Sequence, residues 1–339
     1  MDRRYRVEIT DLNGNPISDS KGNPIGPFDS VGRSGALDIQ FDVQSMGAGL
    51  MTADTCTVTI RGLPLSVLVQ SVNLYNAIVT VYAGFDKTGL PLARAQAIHY
   101  GMILRGQVFV PFANWQGINQ SLNLGLINYT PVIASNDPFF FILAGQQGED
   151  LETVALRGLL GAFPGAKINT KVMQGLILPE TVSAVPYQSL AAYSNAINSL
   201  SRSIANKNGY GGIKIYAQKD FVVMTDFSAG IGASVVTLTE LIGQPTWVGL
   251  NTLSIKVPMR ADLNVGDTLT LQAPTQASAK GPYGAVGAVL TNNAGAAQLA
   301  AQGITTFSGN FVISSIRHVG AFRDTSPDSW VTIVEAITE

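Results

Sequence analysis

One cysteine and two histidines in 339 residues leave little room for sulfur or imidazole chemistry. Cys56 alone cannot close an intrachain disulfide, which fits a protein folded in a reducing cytoplasm. His99 and His318 stand far apart in sequence with no cysteine pair near either, so neither a zinc-ligand spacing nor an HExxH helix can be written. No metal and no cofactor is expected. Charge is equally scarce: charged residues make up 13% of the chain and apolar ones 46%, where soluble proteins carry roughly 25% charged residues. The net charge is −2 and no block of Lys or Arg occurs, which argues against tight nucleic-acid binding through phosphate neutralisation. No apolar run reaches the roughly 18–20 residues of a membrane span, and the start MDRRYRVEIT leads into no apolar stretch. Neither membrane insertion nor a standard secretion signal is therefore expected. The chain is too long for one core, and so few charges point to a surface made for other protein chains, because interface cores are depleted of charge.

What is present is patterned. A Gly-Asn-Pro-Ile unit repeats at residues 14–17 and 22–25, and its Asn-Gly and Gly-Asn-Pro steps favour tight turns. LDIQFDV then sets Leu37, Ile39, Phe41 and Val43 on one face and Asp38, Gln40 and Asp42 on the other, the period of a half-buried strand. TCTVTIRGL repeats the pattern with Cys56, Val58 and Ile60 inward, which makes Cys56 a small core residue and not a reactive thiol. Segments 77–85, 100–110 and 119–127 continue the series. Five strands separated by turn signals predict a first tube-like antiparallel β-barrel over residues 1–130.

The middle follows a helical period. Leu151, Val154, Ala155 and Leu159 share one face over 150–163, and Leu190, Tyr193, Ile197, Leu200 and Ile204 share another over 187–209. Asn208-Gly209 is a plausible C-cap. Two short strands around Gln218, Lys219 and Asp220 follow, so residues 131–235 read as a small α/β domain. Strands return at 251–259, 266–272, 309–320 and 329–337, a second tube-like β-barrel over 236–339. It is interrupted by a Gly/Ala-rich excursion, 273–303, whose small uncharged residues suit ordering against a partner. The two β-rich parts share an order of strands. TCTVTIRGL, AIVTVYAG, YGMILRGQV, NQSLNLGLI runs parallel to NTLSIKVPM, DTLTLQ, FVISSIRHVG, WVTIVEAI, with Arg105 and Arg317 near the same place in the third strand. A duplicated barrel is the expectation.

Ser315, His318, Asp324 and Asp328 fall within one short span, as a nucleophile, base and orienting acid would. A nucleophilic serine needs a strained turn such as GxSxG and an oriented base, and this span supplies neither. Alternation through Phe311 and Ile313 slips at Ser314 and Ser315 and resumes at Ile316, as a β-bulge produces. Pro327 sits in a polar turn, where Asp324 and Asp328 bond nearby amides. Glu149, Asp150 and Glu152 form the densest acidic cluster but stand at a helix N-terminus, where carboxylates favour the macrodipole. No catalytic residue is assigned.

With GQPTW at 243–247, MRADLNVGD at 259–267 and FSGNFVISSIRHVG at 307–320 leading to WVT at 330–332, residues 241–272 and 307–337 resemble the C-terminal part of baseplate hub proteins of contractile-tailed bacteriophages. The resemblance rests on Gly243, Pro245 and Trp247, on the turn Met259, Arg260, Asp262, Val265, Gly266 and Asp267, and on the strand Phe307, Gly309, Phe311, Ile313, Ile316, His318 and Gly320 leading to Trp330, Val331 and Thr332. It covers those two segments closely and the rest by architecture only. It implies mainly β chains with two tube-like barrels joined by a small α/β domain, assembled as a ring. The positions it carries are structural: Gly266 and Asp267 form a turn, Trp247 and Trp330 are apolar anchors, and Arg260 holds a carboxylate or carbonyl of a neighbouring chain.

The expected function is accordingly that of a structural virion protein and not an enzyme, a hub connecting tail tube to central spike and enclosing the DNA channel. The expected state is a homotrimer, made in the host bacterial cytoplasm and located in the tail baseplate of the virion. Its expected partners are the tube protein above, the spike below and other baseplate proteins, with phage DNA passing through at genome ejection without specific binding. The competing classes are a tail-tip cell-wall hydrolase, which needs paired carboxylates across a cleft, and a receptor- or glycan-binding tail protein, which needs clustered Trp and Tyr.

Overall fold

Apolar–polar alternation becomes β-structure wherever it was legible, and the chain is mainly β with a small helix-bearing insert. A computed structural model describes residues 3–31, 36–46, 56–85, 100–117, 119–128, 140–228, 230–237, 240–249, 251–272 and 309–338. His99, Phe307 and the 273–303 excursion lie outside them. The first third contributes β1 (Arg3–Thr10), β2 (Phe28–Asp29), β3 (Asp38–Met46), β4 (Cys56–Arg61), the one-turn helix α1 (Leu65–Leu68), β5 (Ile78–Phe85), β6 (Gly101–Gln116) and β7 (Asn119–Asn128). Cys56, Val58 and Ile60 are buried while Thr57 and Arg61 are not, as the alternation requires. The repeated Gly-Asn-Pro units close two like turns. Asp11 accepts from the amides of Asn13 and Asn15, Asp19 accepts from those of Lys21 and Asn23, and Gly14 and Gly22 take positive φ.

The middle supplies β8 (Phe141–Gly145), α2 (Leu151–Ala162), β9 (Ile168–Lys171), β10 (Val182–Tyr187), α3 (Leu190–Ala205), β11 (Lys214–Gln218) and β12 (Phe221–Thr225). Asp150 caps α2 by accepting from the Glu152 amide, and Ser189 caps α3 by accepting from the Ala192 amide. The left-handed residue that ends α3 is Asn206, two residues before the Asn-Gly step expected to do so. Phe141, Leu151, Tyr193, Ile197, Ile213 and Met224 centre the core of this part.

The last third adds β13 (Ala233–Thr237), β14 (Thr246–Trp247), β15 (Thr252–Pro258), β16 (Thr268–Gln272), β17 (Gly309–Ala321) and β18 (Trp330–Thr338). Separate closed barrels are not what these strands form. Among the described residues, strands of the first and last thirds make one open sheet in the order β14-β15-β18-β17-β3-β4-β7-β6-β5-β1-β2, with β16 and β13 attached beside β17. The physical reason is the length of β17. On one edge, Gly309–Val312 pairs with β16, and Ser315–Ala321 then pairs with β3 of the first third. The expected bulge falls between Ile313 and Ser315, at the point where the strand changes partner.

The shared strand order is real. β4-β7-β6-β5 and β15-β18-β17-β16 are each a run of antiparallel neighbours in the same sequence. At the next position outward the halves differ, since β1 pairs antiparallel with β5 but β13 pairs parallel with β16.

Candidate functional site

The segment that carries the family resemblance is the seam between the strands of the first and last thirds, built from β17, β18 and the turn after β15. Trp330 opens β18 and is 1% exposed, yet it does not pack among its sequence neighbours. It belongs with Tyr5, Phe41, Val81 and Ala83 in the core of the first third. Its indole Nε1 donates to Gly84 O at 2.9 Å, and its ring meets Phe41 edge-on at 5.2 Å. Gly320 makes this possible. It lies opposite both Phe41 and Trp330, and a Cβ there would stand 2.2 Å from Phe41 Cζ. From the other end of the chain Arg3 closes over the β17–β18 turn. Its guanidinium donates to Ala321 O at 2.7 Å and Ser326 O at 3.0 Å, and also to Asp324 O. First and last strands are thereby fastened together.

Arg260 follows β15 and is 3% exposed. The expectation that it grips a neighbouring chain is corrected by its partners. Nε and Nη2 bond Asp262 at 3.0 and 2.5 Å, and Nη1 reaches Val235 O at 3.2 Å and Glu240 at 3.4 Å. The guanidinium is consumed inside its own chain, where two carboxylates offset its burial.

His318 is a packed histidine. It is 2% exposed, and its Nδ1 lies 3.0 Å from the hydroxyl of its cross-strand partner Thr332, which also accepts from the Arg260 amide at 3.0 Å. Burial, reinforced by the charge of Lys219, pulls its pKa down to about 3, so the ring is neutral at physiological pH. Ser315 is buried on the same strand, whereas Asp324 accepts from the Ser326 amide in the turn and Asp328 pairs with Lys256 at 3.2 Å. No bond joins the ring to either aspartate, and no nucleophile–base–acid relay forms.

Gly266 takes φ +89 in the turn before β16, and a Cβ there would touch Ile231 and the Tyr216 hydroxyl at 3.1 Å. Asp267 is buried beside it and accepts from Asn264 Nδ2 at 3.2 Å. Burial raises its carboxyl pKa against that hydrogen bond. Into the same loop comes Lys219 from the β11–β12 turn. Its ammonium donates to Ala261 O at 2.6 Å, Asn264 Oδ1 at 2.7 Å and Leu263 O at 3.3 Å. Burial brings its pKa down to about 8, opposed by Asp262, Asp267 and Asp220. Gln218 adds Oε1 to the Val265 amide at 3.1 Å, so the hairpin of the middle part is plugged into the last sheet. The only sequence signal for this was the pair of polar residues at the hairpin tip.

Gly243 is exposed with positive φ, Pro245 is half-buried before β14, and Trp247 packs on Phe311 at 6.2 Å. Gly309 starts β17 at φ +145. The acidic cluster behaves as a solvated cap: Glu149 pairs with Arg157 at 2.9 Å, and that hydrogen bond holds its carboxyl below the usual range. Among the described residues no group of three or more His, Cys, Asp or Glu could hold a metal, and no helix is long and apolar enough to cross a membrane.

The other feature is an apolar surface on the first third. β6 runs nine residues beyond its pairing with β5, and there Phe109, Val110, Phe112 and Trp115 are 44–62% exposed. At the far end of the strand path, Val248 beyond β14 is 56% exposed. Contiguous apolar groups at this exposure, such as those along β6, mark contact surfaces.

No protein-family model matches the chain and no curated protein matches it. Among solved structures it is similar to the tail protein from Neisseria meningitidis MC58, at 10% identity and a TM-score of 0.48, over 100% of this chain and 97% of that one. It is likewise similar to the 43 kDa tail protein of prophage MuSo2 from Shewanella oneidensis, at 7% identity and 0.48, over 99% and 98%. A chain of the lidded Francisella PdpA-VgrG complex gives 7% and 0.47, over 99% of this chain and 53% of that one. At these identities and scores the likeness carries no inference about function.

Proposed function

We propose that this chain is a structural virion protein, a baseplate hub that connects a phage tail tube to the central spike and encloses the channel for DNA. The observation that carries the reading is the duplicated strand order, β4-β7-β6-β5 and β15-β18-β17-β16, within a chain whose last third bears the hub-like positions from Gly243 to Trp330. A part between a sixfold tube and a threefold spike must satisfy both symmetries. Three chains with two like units each present six near-equivalent surfaces to one neighbour and a threefold arrangement to the other. Residues 1–130 and 236–339 are the two tube units in this reading, and 131–235 joins them. Only 13% charged residues and no basic block suit units packed side by side around DNA that slides without being held.

The seam residues then have a mechanical task. Trp330, Gly320 and Arg3 lock the second unit to the first, while Lys219 and Gln218 lock the connector to the second. Co-expression with the tube and spike proteins of the same phage tests the reading. A complex containing all three is expected, and recovery of this chain bound to neither overturns it.

A further inference from the structure

The seam inside the chain is a template for a seam between chains. Two independent marks align β6 with β17. Gln107 faces Ile78, the first residue of β5, as Val312 faces Thr268, the first of β16. The bulge of β6 against β7 lies between Val108 and Val110, as that of β17 against β18 lies between Ile313 and Ser315. Counting on from either mark brings Phe112 to the place of Arg317 and ends both strands together, at Gln116 and Ala321. The sequence-level pairing of Arg105 with Arg317 is thus out of register.

The outer strands align in the same way. Val43 faces Cys56, which faces Leu126, and Trp247 faces Leu253, which faces Ala336. β14 therefore stands where β3 stands. Beyond its two residues the chain still follows β15, since the Ile242 amide donates to Lys256 O at 2.8 Å and that of Val248 to Thr252 O at 2.9 Å.

In the second unit, the extension of β17 past its bulge pairs with β3 of the first. In the first unit, the matching extension of β6 has no strand beside it among the described residues, and β14 ends the strand path. We infer that the edge of β6 from Val110 to Gln116 pairs antiparallel with the β14 segment of a second copy of this chain, in the register of the β17–β3 seam. This rests on the ring reading above and assigns the surfaces that make the ring. Transposing Arg317↔Gln44 and His318↔Val43 sets Phe112 opposite Val248 and Ala113 opposite Trp247 of the next copy.

The chemistry fits that register. Phe112 and Val248 are 48% and 56% exposed in the single chain and would cover one another. Half-exposed side chains of this size offer on the order of 100 Å² each. Phe109, Val110, Phe112, Trp115 and Val248 thus bring about 500 Å² to a contact, a fair core for the roughly 1,200 Å² at which specific interfaces begin. Pro111 cannot donate, so this edge forms fewer bonds than β17–β3 and is the seam that opens first. Because β6 and β14 are different surfaces, the contact is head-to-tail and closes a ring in which neither of these two edges is left open.

Sedimentation of the full chain with two surface variants tests this. Wild type is expected as a closed ring, Phe112→Lys and Val248→Lys each as folded monomers, and their equimolar mixture as a one-to-one dimer, because each variant keeps the surface the other has lost. Either variant remaining in the ring overturns the assigned seam while leaving the hub reading intact. A mixture that stays monomeric overturns the head-to-tail pairing, and a wild-type chain that never self-associates overturns both seam and ring. Should a lysine variant misfold, the double variant Phe112→Cys/Val248→Cys decides. Crosslinks between copies are expected, with buried Cys56 as a silent background, and none forming in an assembled ring excludes the register.

Discussion

Replacing Trp330 by alanine separates sequence position from structural role. The residue lies in the last third of the chain, yet its ring fills the core of the first third against Phe41 and Phe322, and its indole bonds Gly84 O. Trp→Ala in a core costs about 3–5 kcal/mol, and losing the partner of a buried carbonyl adds roughly 1 kcal/mol. Trp330→Phe keeps most of the packing and loses the hydrogen bond, so it should cost about 1–2 kcal/mol. Urea unfolding followed by amide exchange reads where the damage falls. Protection should drop in β1, β3 and β5, around Tyr5, Phe41 and Ala83, while β15 and β16 keep theirs. Loss confined to β15, β16 and β18 would refute the reasoning, because it would make Trp330 an anchor of its own unit.

Gly320→Ala should destabilise by about 1–3 kcal/mol, since its Cβ drives Phe41 off Trp330, and an unchanged melting curve would count against that geometry. Arg260→Ala should cost about 3–5 kcal/mol by leaving Glu240 and Asp262 without their cation. A variant that folds normally but fails to assemble would instead restore the role of gripping a neighbour. His318 has a folded pKa near 3 against 6.5 unfolded, so its contribution is complete above pH 6.5. It is lost as pH falls toward 3, at up to about 1.4 kcal/mol per pH unit. In His318→Gln that part of the acid sensitivity should vanish, and identical acid profiles for the two proteins would show that the ring is not buried neutral.

Much of the fold was legible because local rules and tertiary packing agree. Cys56, Val58 and Ile60 alternate with Thr57 and Thr59 and point where alternation says. The phase slip at Ser314 is a real bulge, and the shared strand order holds strand by strand. What stayed hidden depends on distant chain. Nothing in the sequence near Ser315–Ala321 says that its edge belongs to β3, and that pairing turns two expected barrels into one open sheet. Trp330 read as an anchor but not as one for another unit. Arg260 looked available because Glu240 and Val235, which occupy it, lie on other segments. Arg105 and Arg317 match in residue identity but not in register, which only strand pairing reveals.

Electron microscopy of the purified, assembled chain tests the central claim most directly. Three chains in a ring of six like β-units are predicted, with the Phe112 edge of each chain beside the Val248 end of the next. A ring of six copies, or one in which residues 1–130 and 236–339 occupy unlike positions, would contradict it.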